Sequence, residues 1–170
     1  MAATNQLLTL EQFHEQFDGK KPYYEFRRGA AIQKSMPTRL HSLLQRLLVE
    51  LLEKAGYEAG QEIELRVNDE WHPVPDVIAH GAIEDPYPTK PVDVVVEILS
   101  PSDKATDLLE KCTDYQELGI RAIFVLDPLQ KTGWRWTAGS LVMIADLQLP
   151  NGSNLPLLTV WQEMDARNKR

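Results

Sequence analysis

Between Thr38 and Gly56 the chain repeats apolar residues at three- and four-residue steps: Leu40, Leu43, Leu44, Leu47, Leu48, Leu51, Leu52 and Ala55. That spacing puts them on one face of an α-helix, which Gly56 closes. Ahead of it, Thr9-Leu10-Glu11-Gln12-Phe13 predicts a short helix capped near Thr9, and Tyr23 to Ile32 predicts a hairpin turning at Arg28-Gly29. Beyond it, Glu62 to Val67 alternates as a strand with one polar face. Pro73 to Ala79 predicts a further strand, with Pro75 placing its start at an edge or bulge. Residues 80–91 carry Gly81, Pro86, Pro88 and Pro91, the marks of a loop that changes direction.

Val92 to Leu99 is rich enough in valine for a central strand buried on both faces. Ser100-Pro101-Ser102-Asp103 is a helix-start signal with serine and aspartate as candidate caps, and the helix is expected to run to about Leu118 and stop at Gly119. Arg121 to Asp127 predicts another buried strand, cut off by Pro128. Gly133–Thr137 and Leu141–Leu149 read as a closing hairpin, and Leu157–Met164 as a short last segment before a frayed basic tail. Residues 92–127 therefore form a strand–helix–strand unit, which implies parallel strands joined by a right-handed crossover. The expected fold is α/β, a central mixed sheet flanked by helices. It is expected as one domain over residues 1–170 with its core at about 5–160, and there is no internal repeat.

Composition narrows the function classes. The 18 basic and 25 acidic side chains leave a net charge of −7, which argues against a protein that coats nucleic acid nonspecifically. The basic residues of the first 60 positions roughly balance their acids, so the deficit lies further on, and a local basic face remains compatible with it. The single cysteine, Cys112, excludes an internal disulfide and a cysteine-based zinc cluster, and reads as a small buried residue. No apolar run approaches the roughly 20 residues that span a bilayer, and the N-terminus lacks a basic region followed by an apolar one. The expectation is a cytoplasmic protein with no membrane association.

Two carboxylates stand out because of where the pattern puts them. Asp76 lies in Val74-Pro75-Asp76-Val77-Ile78 and Glu97 ends the apolar run that begins at Val92. A carboxylate at the end of a buried strand is costly unless a cation or hydrogen bonds compensate it. Metal-assisted phosphodiester hydrolysis needs a divalent cation on the phosphate, an activated water and positive charge against the developing negative charge. Magnesium takes oxygen ligands and keeps several waters, so Asp76, Glu97 and the backbone carbonyl of Ile98 make a sufficient set. A lysine is then required nearby. Residues two apart on a strand share a face, so the strand partner of Glu97 is Leu99, which cannot serve. Lys111 lies about two turns into the next helix, which folds back over the sheet, with Asp107 and Tyr115 one turn to either side.

An ordered series of motifs carries a resemblance. Tyr24-Glu25-Phe26, His41, Pro75-Asp76-Val77, Val96-Glu97-Ile98-Leu99-Ser100-Pro101-Ser102, Asp107, Lys111, Tyr115, Gly119 and Val125-Leu126-Asp127-Pro128 follow one another in a way that resembles the Uma-type restriction endonucleases, a branch of the PD-(D/E)XK nuclease superfamily. The likeness covers roughly residues 5–160. It implies a restriction-endonuclease-like core, a Mg²⁺ (or Mn²⁺) ion on Asp76 and Glu97, and DNA as substrate. Leu99 departs from the superfamily's E-x-K pattern, and Lys111 looks like the migrated lysine of this branch. Glu25 resembles the family's early acidic position, a further ligand or a residue that steers a metal-bound water. The Arg27-Arg28-Gly29 turn departs from the acidic turn usual there.

Each of these residues also has a plainer reading. Asp76 suits a strand-end turn cap, Lys111 an exposed ion pair with Asp107, and Asp107 a helix-surface ion pair. Glu25 suits a salt bridge to a nearby arginine, His41 a core-edge histidine and Tyr115 packing. Ser100 and Ser102 read as helix caps, not as nucleophiles. Trp134 and Trp136 share a strand face and suit core packing or a dimer contact, and cutting both strands of a duplex calls for a homodimer. The alternative function is a catalytically silent nuclease-like module for DNA or protein binding. Presence of Asp76, Glu97 and Lys111 together favours the enzyme.

Overall fold

The structure is a computed structural model that describes residues 7–169. Met1 to Gln6, including the first residues of the expected core, and Arg170 of the expected tail lie outside the described residues. The first helix, α1 (Leu10–Phe17), opens on a capping box in which Thr9 and Gln12 satisfy each other's backbone N–H groups. A hairpin follows, β1 (Tyr24–Arg27) and β2 (Ala30–Gln33). Its two turn residues, Arg28 and Gly29, both take positive φ (47° and 83°), the backbone that matches the twist of a tight hairpin. The leucine-rich helix is α2 (Arg39–Lys54), capped by the Thr38 hydroxyl.

The middle of the chain departs from expectation. The strand is β3 (Glu58–Gln61), not Glu62–Val67. In that second segment Leu65 donates to the Pro73 carbonyl and Arg66 to the Pro88 carbonyl, so its backbone bonds go to two different segments and no ladder forms. Alternation of side chains is therefore present without a sheet partner. Of the expected strand 73–79 only the last three residues form strand, in β5 (Val77–His80), which pairs with β3 and β6, and a separate short strand precedes the expected one, β4 (Trp71–His72), which pairs with β1. The Pro73–Asp76 stretch between them belongs to neither.

The strand–helix–strand unit forms as expected: β6 (Val94–Ile98), α3 (Ala105–Glu117) and β7 (Ala122–Asp127), with β6 and β7 parallel. Its helix starts later than the Ser100 signal suggests. Asp103 turns its carboxylate back onto the Ser100 N–H at 2.7 Å, which closes a turn ahead of the helix, and the N-cap is Lys104 without a side-chain bond. Ser100 and Ser102 are thus not helix caps. The closing hairpin is shorter than predicted, β8 (Thr132–Thr137) and β9 (Ser140–Met143). The remaining residues of the 141–149 run form β10 (Asp146–Gln148), which pairs with β11 (Asn154–Pro156). The last segment is a helix, α4 (Leu157–Asn168), which takes up most of the expected tail.

The main sheet has the order β3-β5-β6-β7-β8-β9, mixed because β6 and β7 alone are parallel. One face packs α2 and α4 through Leu44, Leu48, Val77, Val94, Val96, Phe124 and Val160. The other packs α3 through Ile78, Val95, Ile123, Val125, Cys112 and Tyr115. Alternate strand residues serve the two faces, the arrangement that a continuous valine run encodes. Trp134 and Trp136 pack against this second core, and the indole of Trp136 donates to Gln116 at 2.6 Å. The three-stranded sheet β2-β1-β4 forms an arm beside α3. No helix among the described residues is long and apolar enough to cross a membrane.

Candidate active site

The β5–β6 register pairs Val77 with Val96, and one further step sets Asp76 opposite Glu97. Counting by twos from Ile78 and Val95 places both carboxylates on the α3 face of the sheet. The Ile98 N–H donates to Asp76 Oδ2 at 2.7 Å and fixes that carboxylate across the strand gap. Glu97 is 7 % exposed and Asp76 4 %. Both line a cleft of about 470 Å³ between α3 and the arm, together with Glu25, Lys34, His41, Ile98 and Lys111.

The helix supplies the lysine. Lys111 Nζ lies 2.9 Å from Glu25 Oε1 and 3.0 Å from Glu97 Oε1. One turn on, the Tyr115 hydroxyl donates to the same Glu97 oxygen at 2.5 Å. Lys111 therefore pairs with the two buried acids and not with Asp107, which lies exposed on the cleft rim without an ion pair among the described residues. Glu25 pairs with this lysine, not with an arginine, and also accepts from the Val74 N–H at 2.8 Å. The arginines do something else. Arg27 and Arg28 both reach Asp114 on α3, and Arg27 also approaches Glu110 at 3.4 Å. The departure from an acidic turn is thus what fastens the arm to α3 and carries Glu25 to Lys111.

Asp76 has a surround of its own. Lys34 Nζ, from the chain leaving β2, donates to Asp76 Oδ1 at 3.0 Å and to the Val74 carbonyl at 2.5 Å. His41 Nε2 lies 3.2 Å from Asp76 Oδ2, and Gln45, one turn along α2, donates to the Asp76 carbonyl at 3.1 Å. His41 is buried at the site, so its place on the edge of the leucine arc is the place that reaches Asp76. Its Nδ1 is buried with no hydrogen-bond partner among the described residues. Lys34 and Gln45 escape a reading of the sequence. Lys34 falls in an irregular segment where no period assigns it a direction, and Gln45 reads as a polar position on an apolar helix.

The electrostatics follow from this packing. Burial pushes Glu97 up to about 7, with the neighbouring Asp76 charge adding to it and Lys111 opposing it. Asp76 is buried too, but Lys34 and the His41 hydrogen bond outweigh that and hold it well below the usual carboxylate range. Burial disfavours the charged forms of Lys111 and Lys34, yet the carboxylates around them (Glu25 and Glu97 for Lys111, Asp76 for Lys34) keep both above the ordinary lysine value. Burial also lowers His41, while its bond to Asp76 raises it, with a net rise. Tyr115 is held protonated by burial and by Glu97. Cys112, inert in this surround, is pushed up to about 12, chiefly by burial.

Counted with all three ionised and His41 neutral, the buried carboxylates Glu25, Asp76 and Glu97 exceed the two ammonium groups by one negative charge, the charge that burial resists at Glu97. The oxygen-only donor set is that of a hard cation such as Mg²⁺ or Mn²⁺, so the residues present fit such an ion. An α/β sandwich with acids at the ends of two central strands and a lysine returning from the crossover helix defines the class, a restriction-endonuclease-like fold. A profile of the Uma2 family, described as "Putative restriction endonuclease", matches residues 10–164, and the chain belongs to that family. It is similar in fold to a solved protein from Anabaena variabilis described as "a putative nuclease belonging to DUF820", at 20 % identity and a TM-score of 0.75, over 92 % of this chain and 99 % of that one. A slighter likeness joins it to a DrdV–DNA complex, at 13 % identity and a TM-score of 0.41 over 71 % of this chain and 10 % of that one, too slight to bear on fold or function. No curated protein matches the chain.

Proposed function

We propose that the protein is a metal-dependent endonuclease that hydrolyses DNA phosphodiester bonds. What carries this reading is the reach of Lys111 to within 3.0 Å of both Glu25 and Glu97, in the cleft where Asp76 faces Glu97 across the strand gap. Asp76 and Glu97, with the Ile98 carbonyl, are the residues to hold a Mg²⁺ or Mn²⁺ ion. Such an ion supplies Lewis-acid polarisation of the phosphate and a water of lowered pKa. The chain's own groups do the rest. Lys111 presents a buried ammonium that orients the attacking water and meets the charge developing on the phosphate. Glu25 holds that ammonium in place, and Tyr115 fixes the rotamer of Glu97. Lys34 and His41 keep Asp76 ionised and aimed into the cleft. A homodimer would present two such clefts to the two strands of a duplex.

The test is cleavage of DNA by purified protein with Mg²⁺ or Mn²⁺. Asp76→Ala, Glu97→Ala and Lys111→Ala are each expected to abolish it while leaving the folded circular-dichroism spectrum. Cleavage that survives in Glu97→Ala sinks the mechanism. One observation favours a second reading, a silent nuclease-like module. Asp76 already has both oxygens engaged, by Lys34 on one side and by His41 and the Ile98 N–H on the other. If wild-type protein binds neither Mg²⁺ nor Mn²⁺ by calorimetry yet still binds DNA, that reading replaces the first.

A further inference from the structure

Away from the cleft, on the far side of the arm, three potential ligand atoms converge: His14 Nε2 on α1, Glu64 Oε1 in the 62–67 segment and His72 Nδ1 on β4, all within 4.8 Å of one another. We propose that they form a structural site for a first-row transition ion of the zinc type, separate from Asp76 and Glu97. His72 Nδ1 is hydrogen-bonded to His14 Nε2 at 3.2 Å, one proton lying between two nitrogens that an ion would take in its place, and it stands 3.3 Å from Glu64 Oε1. Ligands of a tetrahedral zinc at about 2.0–2.1 Å stand about 3.3–3.4 Å apart, so both edges are those of a first coordination shell. Glu64 Oε1 is buried and makes no hydrogen bond among the described residues, although His72 Nδ1 is this close. The Glu64 approach is not directed as a hydrogen bond, which leaves that oxygen available to an ion.

The surrounding groups prepare the ligands. His14 Nδ1 lies 2.8 Å from Asp18 Oδ1, and a proton shared there makes Nε2 the lone-pair nitrogen, which accepts from His72 Nδ1 until an ion displaces that proton, the carboxylate–histidine arrangement that orients metal-bound imidazoles. Arg66 takes the other Glu64 oxygen at 2.9 Å and stacks on the Tyr87 ring at 3.7 Å, which holds the carboxylate and leaves Oε1 facing the histidines. Arg66 also approaches Asp18 at 3.6 Å. With Asp18 and Glu64 against Arg66, the cluster has one surplus negative charge to set against a dication. Two imidazoles and one carboxylate suit zinc, cobalt or nickel and not magnesium. His14 is 19 % exposed, so solvent reaches the cluster from its side and a water can complete the ligand set.

The site joins α1, the 62–67 segment and β4, and β4 pairs with β1, whose Phe26 faces His72. Zinc there clamps the arm that presents Glu25. The experiment titrates chelator-stripped Asp76→Ala protein, which lacks a proposed cleft ligand, with Zn²⁺ against a chromophoric chelator and with Co²⁺ read by its visible absorption. One zinc per chain is expected, unaffected by millimolar Mg²⁺, together with a rise in melting temperature. His14→Gln, at a partly exposed position compatible with folding, and Glu64→Gln are expected to weaken binding by more than the roughly 10–100-fold set by loss of an outer partner such as Asp18. His14→Gln should also remove the zinc-dependent rise in melting temperature. Absence of stoichiometric zinc in the Asp76→Ala protein, or its full retention in His14→Gln, overturns the proposal.

Discussion

Replacing Glu97 by glutamine is expected to make the metal-free protein more stable at pH 8. The side chain is buried at 7 % exposure and is displaced from 4.5 to about 7. At about 1.4 kcal/mol for each tenfold change in the proton equilibrium, ionising it in place costs about 3 kcal/mol. The sign follows from which state holds the proton. Between pH 4.5 and 7 the folded protein binds it and the unfolded chain does not, so stability falls as pH rises through that window and levels off above it. Glutamine has the shape of the protonated acid and still accepts from Tyr115, but it never ionises. Urea unfolding in EDTA should therefore find Glu97→Gln more stable than wild type by on the order of 2–3 kcal/mol at pH 8, and by under about 1 kcal/mol at pH 5. Mg²⁺ should stabilise wild type at pH 8 and leave the variant largely unmoved, while the variant loses DNA cleavage. A variant less stable than wild type at pH 8, or an advantage equal at both pH values, would refute the argument that Glu97 is held against its charge.

Other perturbations test neighbouring parts. Tyr115→Phe removes the hydroxyl on Glu97 and should cost about 1–3 kcal/mol in urea unfolding, with cleavage reduced but measurable, since Lys111 stays in place. Lys34→Ala strips a buried carboxylate of its ammonium and should cost about 3–5 kcal/mol without metal, with part recovered in Mg²⁺; an equal loss in both conditions would remove Asp76 from the metal's ligands. Gly133→Ala places a methyl 2.7 Å from the Leu126 and Leu157 side chains and should destabilise by about 1–3 kcal/mol in thermal denaturation, with no change in DNA cleavage at low temperature.

Much of this architecture is legible in the residues, and the failures are physical. The leucine helix and the strand–helix–strand unit are long, strongly periodic segments, and each formed where the pattern put it apart from the later start of α3. The Glu62–Val67 segment has a strand's alternation but lies where its N–H groups meet Pro73 and Pro88 carbonyls, and a ladder depends on the neighbour as much as on the strand. The Ser100–Asp103 signal fails as a cap because Asp103 satisfies a nearer N–H first. In the site, Asp76, Glu97 and Lys111 were visible as costly or well-spaced residues. Lys34, Gln45 and the role of His41 were not, since nothing local tells a lysine in a loop which carboxylate it will meet.

By itself, the sequence determined the elements whose hydrogen bonds close within a few residues, and it marked two acids that could not be buried without compensation. It also showed Leu99 where a strand lysine is usual. The tertiary structure alone decided which groups compensate them, because hydrogen bonds and ion pairs between segments 14 to 87 residues apart depend on register, helix rotation and the docking of the arm by Arg27 and Arg28. Local periodicity sets which face a side chain takes; only packing sets what it finds there.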